Sequence, residues 1–354
     1  MEKRNIVVIG ASMGGFDALK RIVANLPSDF EASIFIVWHM SADVMGILPQ
    51  VINKLNTIPA SNALDGELIL SNHIYVAPPG HHMLIDNGFI RVTHGPKENL
   101  FRPAVDPLFR SAANNYGNRV IGIVLSGGLD DGTSGLWQIK SKNGIAIVQD
   151  PENAENPSMP QSALNKVKVD YCLSIEDISD VLIHLAKQEV EVEMKNNSNK
   201  TEGELNIAAE GNALQYGASY FGEISPYSCP ECHGVLSQIM EDNILRFRCH
   251  TGHAYSTDSL LLSLSRKTED SLYNVIRGMD ETIFLLNHLG DHYSEANEPK
   301  LAATYFKEAN KTIEKSNQLR NIVHSHEELT LEKICYQQDQ TQISRPTQQD
   351  ITQE

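Results

Sequence analysis

The chain has 354 residues, 41% of them apolar, which suits one large globular domain with a smaller companion. Its formal net charge of -16 and pI of about 5.2 repel phosphate backbones and anionic lipid, which argues against nucleic acid and membrane surfaces as partners. The opening MEKRNIVVIGAS holds an apolar run only from Ile6 to Ile9, too short for a signal peptide or a span, so a cytoplasmic location without membrane insertion is expected.

Asn5 to Gly10 (NIVVIG) is a short apolar run, as in a central parallel strand buried on both faces. Helical spacing follows at Leu19, Ile22, Val23 and Leu26. Ser33 to His39 (SIFIVWH) reads as a second buried strand and Val44 to Leu55 as a helix. HHMLIDNGFIRVTH reads as a hairpin, its Asn87-Gly88 pair supplying the positive φ angles of a tight turn. Asp106 to Asn115 is helical, and Arg119 to Gly127 is a third buried strand. A helix is expected around Gly135 to Lys142, a fourth strand over Gly144 to Gln149, and a closing helix over Ile175 to Lys187. This alternation implies a doubly wound, mostly parallel α/β sheet with helices on both faces and one antiparallel hairpin insertion, over residues 1–187.

Composition changes after Lys187. Glu189 to Gly203 is rich in Glu, Lys, Asn and Ser and lacks aromatics, so residues 188–220 are expected to be a linker. A small Cys/His module is expected over 221–262 and a helical hairpin over 263–333. The hairpin's first apolar stripe is Leu272, Val275, Ile276, Met279, Ile283 and Leu286; the second is Leu301, Tyr305, Thr312, Leu319 and Val323. Such stripes suit an antiparallel pair or a homodimer contact, with packing against the Cys/His module as the plainer alternative. The Gln- and Thr-rich segment 334–354 is expected to be disordered.

Gly10-Ala11-Ser12-Met13-Gly14 fits G-x-S-x-G and leaves a buried strand for a helix. A serine there sits at a helix N-terminus, where free N–H groups stabilise an oxyanion. Two other readings compete: a turn that cradles a phosphate or dinucleotide, and a serine that merely caps the helix. The dinucleotide reading lacks support, because no tyrosine has a lysine four residues on and the second strand ends in Trp38-His39 rather than an acid. His39 ends the second strand, and Asp131 lies just beyond the third, in Ser126-Gly127-Gly128-Leu129-Asp130-Asp131-Gly132. Separate strands thus bring a hydroxyl, an imidazole and a carboxylate to one sheet edge, the set needed for nucleophilic acyl transfer. Taken singly, His39 could fill space and Asp130 or Asp131 could cap a helix.

The stretches GASMGG, VWH, YVAPPGHHM, RPAVDPLF, LSGGLDDGTSG and QDPENAENPSMPQSAL resemble, in number and order, the catalytic domain of the chemotaxis receptor methylesterases, the CheB family. The resemblance spans residues 5 to about 186. It implies hydrolysis of glutamyl methyl esters on methylated chemoreceptors, with deamidation of receptor glutamines in some members and no cofactor for catalysis. It also implies Ser12 as nucleophile, His39 as general base, Asp131 rather than Asp130 as the orienting acid, and backbone N–H groups of Met13 and Gly128 as the oxyanion hole. Arg102 and Asp106 match an RPSVD-type stretch; Arg102 is expected to meet the acidic substrate surface, a structural ion pair being the alternative. Met13, Trp38 and Gly128 depart from the family's usual Thr, Gln and Met, which leaves a catalytically weakened scaffold as the alternative reading. The chain starts in the first catalytic strand, so control by a receiver domain in cis is not expected.

The five cysteines are Cys172, Cys229, Cys232, Cys249 and Cys335. Cys229-Pro230-Glu231-Cys232 and Cys249-His250-Thr251-Gly252-His253 form two pairs on tight turns, flanked by short apolar strands, as in a zinc ribbon. The expected ligands to a structural zinc are Cys229, Cys232, Cys249 and His253, with His250 as the alternative fourth. A reactive Cys-x-x-Cys pair would not need the second cluster.

Overall fold

The computed structural model of the protein describes residues 2–39, 47–191, 199–211, 222–330 and 334. The chain opens with β1 (Glu2–Lys3), β2 (Ile6–Ala11), α1 (Gly15–Ala24), β3 (Ser33–Trp38) and α2 (Ile47–Asn53). β4 (Ala60–Asn62) and β5 (His73–Val76) precede a hairpin of β6 (His82–Asp86) and β7 (Phe89–Thr93). Next come α3 (Val105–Tyr116), β8 (Val120–Val124), α4 (Thr133–Ser141), β9 (Ile145–Gln149), α5 (Ser158–Lys166), β10 (Tyr171–Leu173) and α6 (Ile175–Ala186). β11 (Glu189–Val190) returns to pair antiparallel with β1.

The main sheet has seven strands in the order β10-β9-β8-β2-β3-β5-β4, all paired in parallel. Alternate side chains feed two cores. Val7, Ile9, Ile34, Ile36, Ile121 and Ile123 pack with α1, α2 and α6 on one face. Val8, Phe35, Val37 and Val124 pack with α3, α4, α5 and the β6–β7 hairpin on the other. This double burial is why the long central strands read as unbroken apolar runs. β4, β5 and β10 were not expected; at 3, 4 and 3 residues they are too short for such a run. The helix expected from Val44 is seen from Ile47, its first residues lying outside the described ones.

The stretch 188–220, expected to be a linker, holds a packed helix among its described residues. Within it α7 (Asn199–Glu210) is a helix that buries Glu204, Ile207 and Ala208. Ala208 O accepts the Thr93 hydroxyl at 2.8 Å, and a Cβ on Gly95 would fall 2.0 Å from that carbonyl, so α7 lies close on β7. Glu204 falls in the expected linker, but it is ion-paired in the interior. Four strands follow, β12 (Glu223–Ser228), β13 (Val235–Glu241), β14 (Ile244–Cys249) and β15 (Ala254–Ser256), paired antiparallel in chain order. They belong to the same compact unit as the α/β domain, Met1–Leu260, rather than to a tethered module.

A buried charge cluster stitches that unit together. Arg110 of α3 pairs with Glu98 at 3.3 Å and with Glu204 of α7 at 3.0 Å. Arg248 of β14 reaches Glu98 at 2.9 Å, and Arg246 reaches Glu204 at 2.9 Å and Glu241 at 2.7 Å. Three arginines face three glutamates, so the cluster is charge-balanced and tolerable in the interior.

The second unit, Leu261–Glu354, contains most of α8 (Thr257–Glu295) and all of α9 (Pro299–His324). The two run antiparallel: Arg320 reaches Asp280 at 2.5 Å, and Tyr293 stacks on Tyr305 at 5.4 Å. α9 buries Ala302, Ala309, Ser316 and Val323, one heptad apart, and the small residues bring the axes together. Val275, Phe284 and Leu285 of α8 stay exposed. Among the described residues no helix is long and apolar enough to cross a membrane. The segment expected to be disordered, 334–354, lies outside the described residues except for residue 334.

Candidate active site

β2 has β3 on one side and β8 on the other, so the chain reverses its direction of winding there. Crevices form outside the carboxyl ends of parallel strands at such a switch point. Ser12 follows β2, His39 follows β3, and Asp131 lies on the loop after β8. The register pairs Ala11 with Trp38, which puts Ser12 and His39 at the next matched positions.

The Ser12 turn is tight because its flanks allow it. A Cβ on Gly10 would meet Val105 at 2.3 Å, so α3 crosses directly over the end of β2. Gly14 has φ +76, a left-handed angle that ends the turn and starts α1. Ser12 N–H donates to Ser126 O at 2.9 Å, and Ser12 O accepts Gly15 N–H and Trp38 Nε1, both at 3.0 Å. Ser126 Oγ donates to Met13 O at 2.7 Å. Among the described residues the backbone N–H groups of Met13 and Gly128 have no partner. Met13's side chain is exposed, and Gly128 lies beside Asn156.

His39 Nε2 is 2.9 Å from Asp131 Oδ2, and both residues are buried. With Nε2–H donated to the carboxylate, Nδ1 carries the lone pair; it is buried and has no partner among the described residues. No hydrogen bond from Ser12 Oγ to His39 is formed among them. Asp131 Oδ2 also accepts Val105 N–H at 2.7 Å, and Oδ1 accepts Asn99 Nδ2 at 2.9 Å, Gly132 N–H at 3.0 Å and Asp106 N–H at 3.2 Å. Burial alone would raise this carboxyl, but the His39 hydrogen bond and charge, Val105 N–H and Asn99 outweigh it and hold it below the usual carboxylate range. Asp106, equally buried and next to Asp131, goes the other way: burial first, then the Asp131 charge, push it up. Asp130 faces away, accepting Ser256 Oγ at 2.5 Å and Lys166 Nζ at 3.4 Å.

Several site residues carried no signal in the sequence. Phe101 stacks on His39 with ring centroids 3.7 Å apart and planes 8° off parallel. Asn99 bridges Asp131 and Asp106. Trp38, which departs from the family pattern, anchors the Ser12 carbonyl. Arg102 donates Nε to Gly80 O and Nη1 to Gly95 O, both at 2.7 Å, tying together the two ends of the β6–β7 excursion.

On β12–β15, the donor atoms of Cys229, Cys232, Cys249 and His253 all lie within 4.8 Å of one another. Cys232 Sγ is 3.6 Å from Cys249 Sγ, and His253 Nδ1 is 3.7 Å from Cys229 Sγ and 3.6 Å from Cys249 Sγ. A zinc–sulfur bond of about 2.3 Å implies tetrahedron edges of about 3.8 Å, so the spacing fits. His250 is exposed and outside this group, with its ring against Gly234.

Residues 7–182 match the family model described as CheB methylesterase. A Leptospira interrogans protein, provisionally named a protein-glutamate methylesterase/protein-glutamine glutaminase, is 40% identical over 186 residues, covering 52% of this chain and 96% of that one. A Clostridium acetobutylicum protein with the same name, without the qualifier, is 34% identical over 182 residues, covering 51% of this chain and 53% of its own length. Among solved structures, the Thermotoga maritima CheB methylesterase catalytic domain superposes with a TM-score of 0.50 and 34% identity, over 51% of this chain and 98% of that one.

Proposed function

Because the chain belongs to the CheB methylesterase family, and so to the carboxylic ester hydrolases, we propose that it hydrolyses glutamyl O-methyl esters on chemoreceptors or related signalling proteins, giving glutamate and methanol. The observation that carries this reading is the buried His39–Asp131 pair at the sheet edge where the Ser12 turn ends β2. Ser12 Oγ attacks the ester carbonyl, and its proton passes to Nδ1 of His39, the nitrogen not held by Asp131. The negative carbonyl oxygen takes the backbone N–H groups of Met13 and Gly128. As the carbon–oxygen bond breaks, His39 gives the proton to the leaving methoxide, which departs as methanol. Water then attacks the acyl-Ser12 ester through His39, and glutamate leaves as Ser12 recovers its proton. With glutamine as substrate the same steps release ammonia, the second activity in the relatives' names. No cofactor enters this chemistry.

In the same reading Arg102 braces the hairpin and adds positive charge for an acidic substrate surface. Cys229, Cys232, Cys249 and His253 hold a structural zinc that fixes the fold of β12–β15. The exposed Val275, Phe284 and Leu285 of α8 form a homodimer contact. The protein works in the cytoplasm, where receptor signalling helices are found. Purified protein mixed with methylated receptor helices should release methanol, and Ser12→Ala should not; equal release by both sinks the proposal. A fluorophosphonate probe that leaves Ser12 unlabelled would instead favour a scaffold that has lost turnover.

A further inference from the structure

We propose that Asn99 is a positioning residue for the His39–Asp131 pair, and that the β12–β15 sheet sets its orientation. This rests on the ester hydrolase reading of Ser12, His39 and Asp131. The two ends of the Asn99 amide are claimed by different parts of the chain. Oδ1 accepts the backbone N–H of Ser256 at 2.8 Å, with Ser259 Oγ at 3.4 Å. Nδ2 donates to Asp131 Oδ1 and to Asp106 Oδ2, both at 2.9 Å. A backbone N–H only donates and the Asp131 carboxylate, held in its ionised form, only accepts, so one amide orientation satisfies both sides. The flipped amide would set Oδ1 against the Asp131 carboxylate and Nδ2 against an N–H. The Ser256 N–H thereby keeps a donor aimed at Asp131.

The backbone makes the same link. Asn99 N–H donates to Ala254 O at 2.9 Å and Ala254 N–H to Lys97 O at 3.2 Å, so residues 97–99 pair with β15 through one parallel bridge at Glu98 and Ala254. Asn99 and Leu100 then turn with φ +50 and +76, a conformation that Leu adopts only when its surroundings impose it. That turn places Phe101 against the His39 ring. One short segment therefore holds both members of the pair, Asn99 on Asp131 and Phe101 on His39. β15 starts right after His253, whose carbonyl accepts Cys249 N–H at 3.0 Å and whose Nδ1 lies among the cysteine sulfurs. Order in the Cys/His knuckles thus reaches the catalytic pair through about half a dozen residues.

The test compares wild type, Asn99→Ala, Asn99→Asp, Cys249→Ser and the double variant Asn99→Ala/Cys249→Ser. Methanol release from methylated receptor helices gives kcat and KM, and fluorophosphonate titration counts reactive Ser12 sites. Asn99→Ala should lower kcat per titrated site on the order of 10- to 100-fold while KM moves by less than about threefold. Asn99→Asp, which turns the donor into an acceptor, should fall at least as far. Cys249→Ser should speed amide exchange at residues 97–101 and lower kcat per site, and the double variant should be no worse than the lower single, because both act through one contact. If Cys249→Ser does not fold, chelator treatment of wild type and Asn99→Ala supplies the same comparison.

A kcat per titrated site within about threefold of wild type in Asn99→Ala overturns the proposal, as does a fall explained wholly by fewer titrated sites. Losses that multiply in the double variant overturn the link to the module. Wild-type protein that takes the label but releases no methanol would refute the ester reading alone. The positioning role would then be read from the second-order labelling rate of the same variants.

Discussion

The two halves of this site are built in opposite ways. The Ser12 turn lies within residues 10–15, where small residues let the backbone fold sharply and α3 pass close by. The Asp131 carboxylate instead takes donors from residues 39, 99, 105, 106 and 132, and residue 99 is itself oriented by residue 256. The local device depends mainly on its own few residues, with Ser126 and Trp38 as its outside partners. A distributed one is exposed to changes made far along the chain. Substitution at Ser12 should therefore cost activity and little stability, whereas substitution around Asp131 should cost both.

Ser12→Ala should lower methanol release on the order of 10⁴-fold or more, leaving the thermal midpoint within about 1 °C of wild type, because the side chain is only half buried and its backbone contacts survive. Asp131→Asn should cost roughly 10⁴-fold in kcat, since an amide cannot both orient the imidazole and stabilise its charged form. It should also cost about 1–3 kcal/mol of stability, because the new amide NH₂ meets donors that now face an acceptor. Urea unfolding of the two variants side by side decides the matter; equal stabilities would break the contrast between the halves.

The next largest effect tests how far the distributed half extends. Glu204→Gln leaves three buried arginines with two carboxylates and should destabilise the unit by about 3–5 kcal/mol. Acid should do the same to wild type. Burial raises the Glu204 carboxyl, but Arg246, Arg110 and Arg248 outweigh it and hold it below its ordinary value of 4.5. A depressed folded value means the stabilisation is complete above the unfolded value and fades as pH falls through the folded one. Urea midpoints should thus hold near neutral pH and drop below about pH 4.5, and Glu204→Gln should flatten that drop. A drop unchanged by the substitution would place the acid sensitivity elsewhere.

What could be read from the sequence follows the same division. β2, β3, β8 and β9 were legible because burial on both faces writes itself as an apolar run; β4 and β10 were not, as three-residue edge strands. The placement of Ser12, His39 and Asp131 at one sheet edge was legible because their side-chain types stand at the ends of recognisable strands. Asn99 and Phe101 were not, since an amide and a ring in a loop have no periodicity, and the partner that orients Asn99 is Ser256, on the sheet expected to be a separate module. Glu204 falls in the expected linker because composition counts charges without seeing the arginines that meet them.

Trp38 carries the smallest prediction and the finest test of the local half. Its indole N–H donates to the Ser12 carbonyl at 3.0 Å, and its ring tilts against Phe16 at 5.1 Å. Trp38→Phe keeps an aromatic ring against Phe16 and α1 while removing that one donor. The half-buried carbonyl keeps Gly15 N–H as a partner, so the loss should be about 1 kcal/mol of stability and less than about tenfold in kcat. Trp38→Gln, which offers an amide donor but little ring area, should restore less stability than kcat. If Trp38→Phe instead matched the loss in Asn99→Ala, the Ser12 turn would be no more self-contained than the Asp131 side, because its geometry would hang on a side chain from a neighbouring strand rather than on its own glycines.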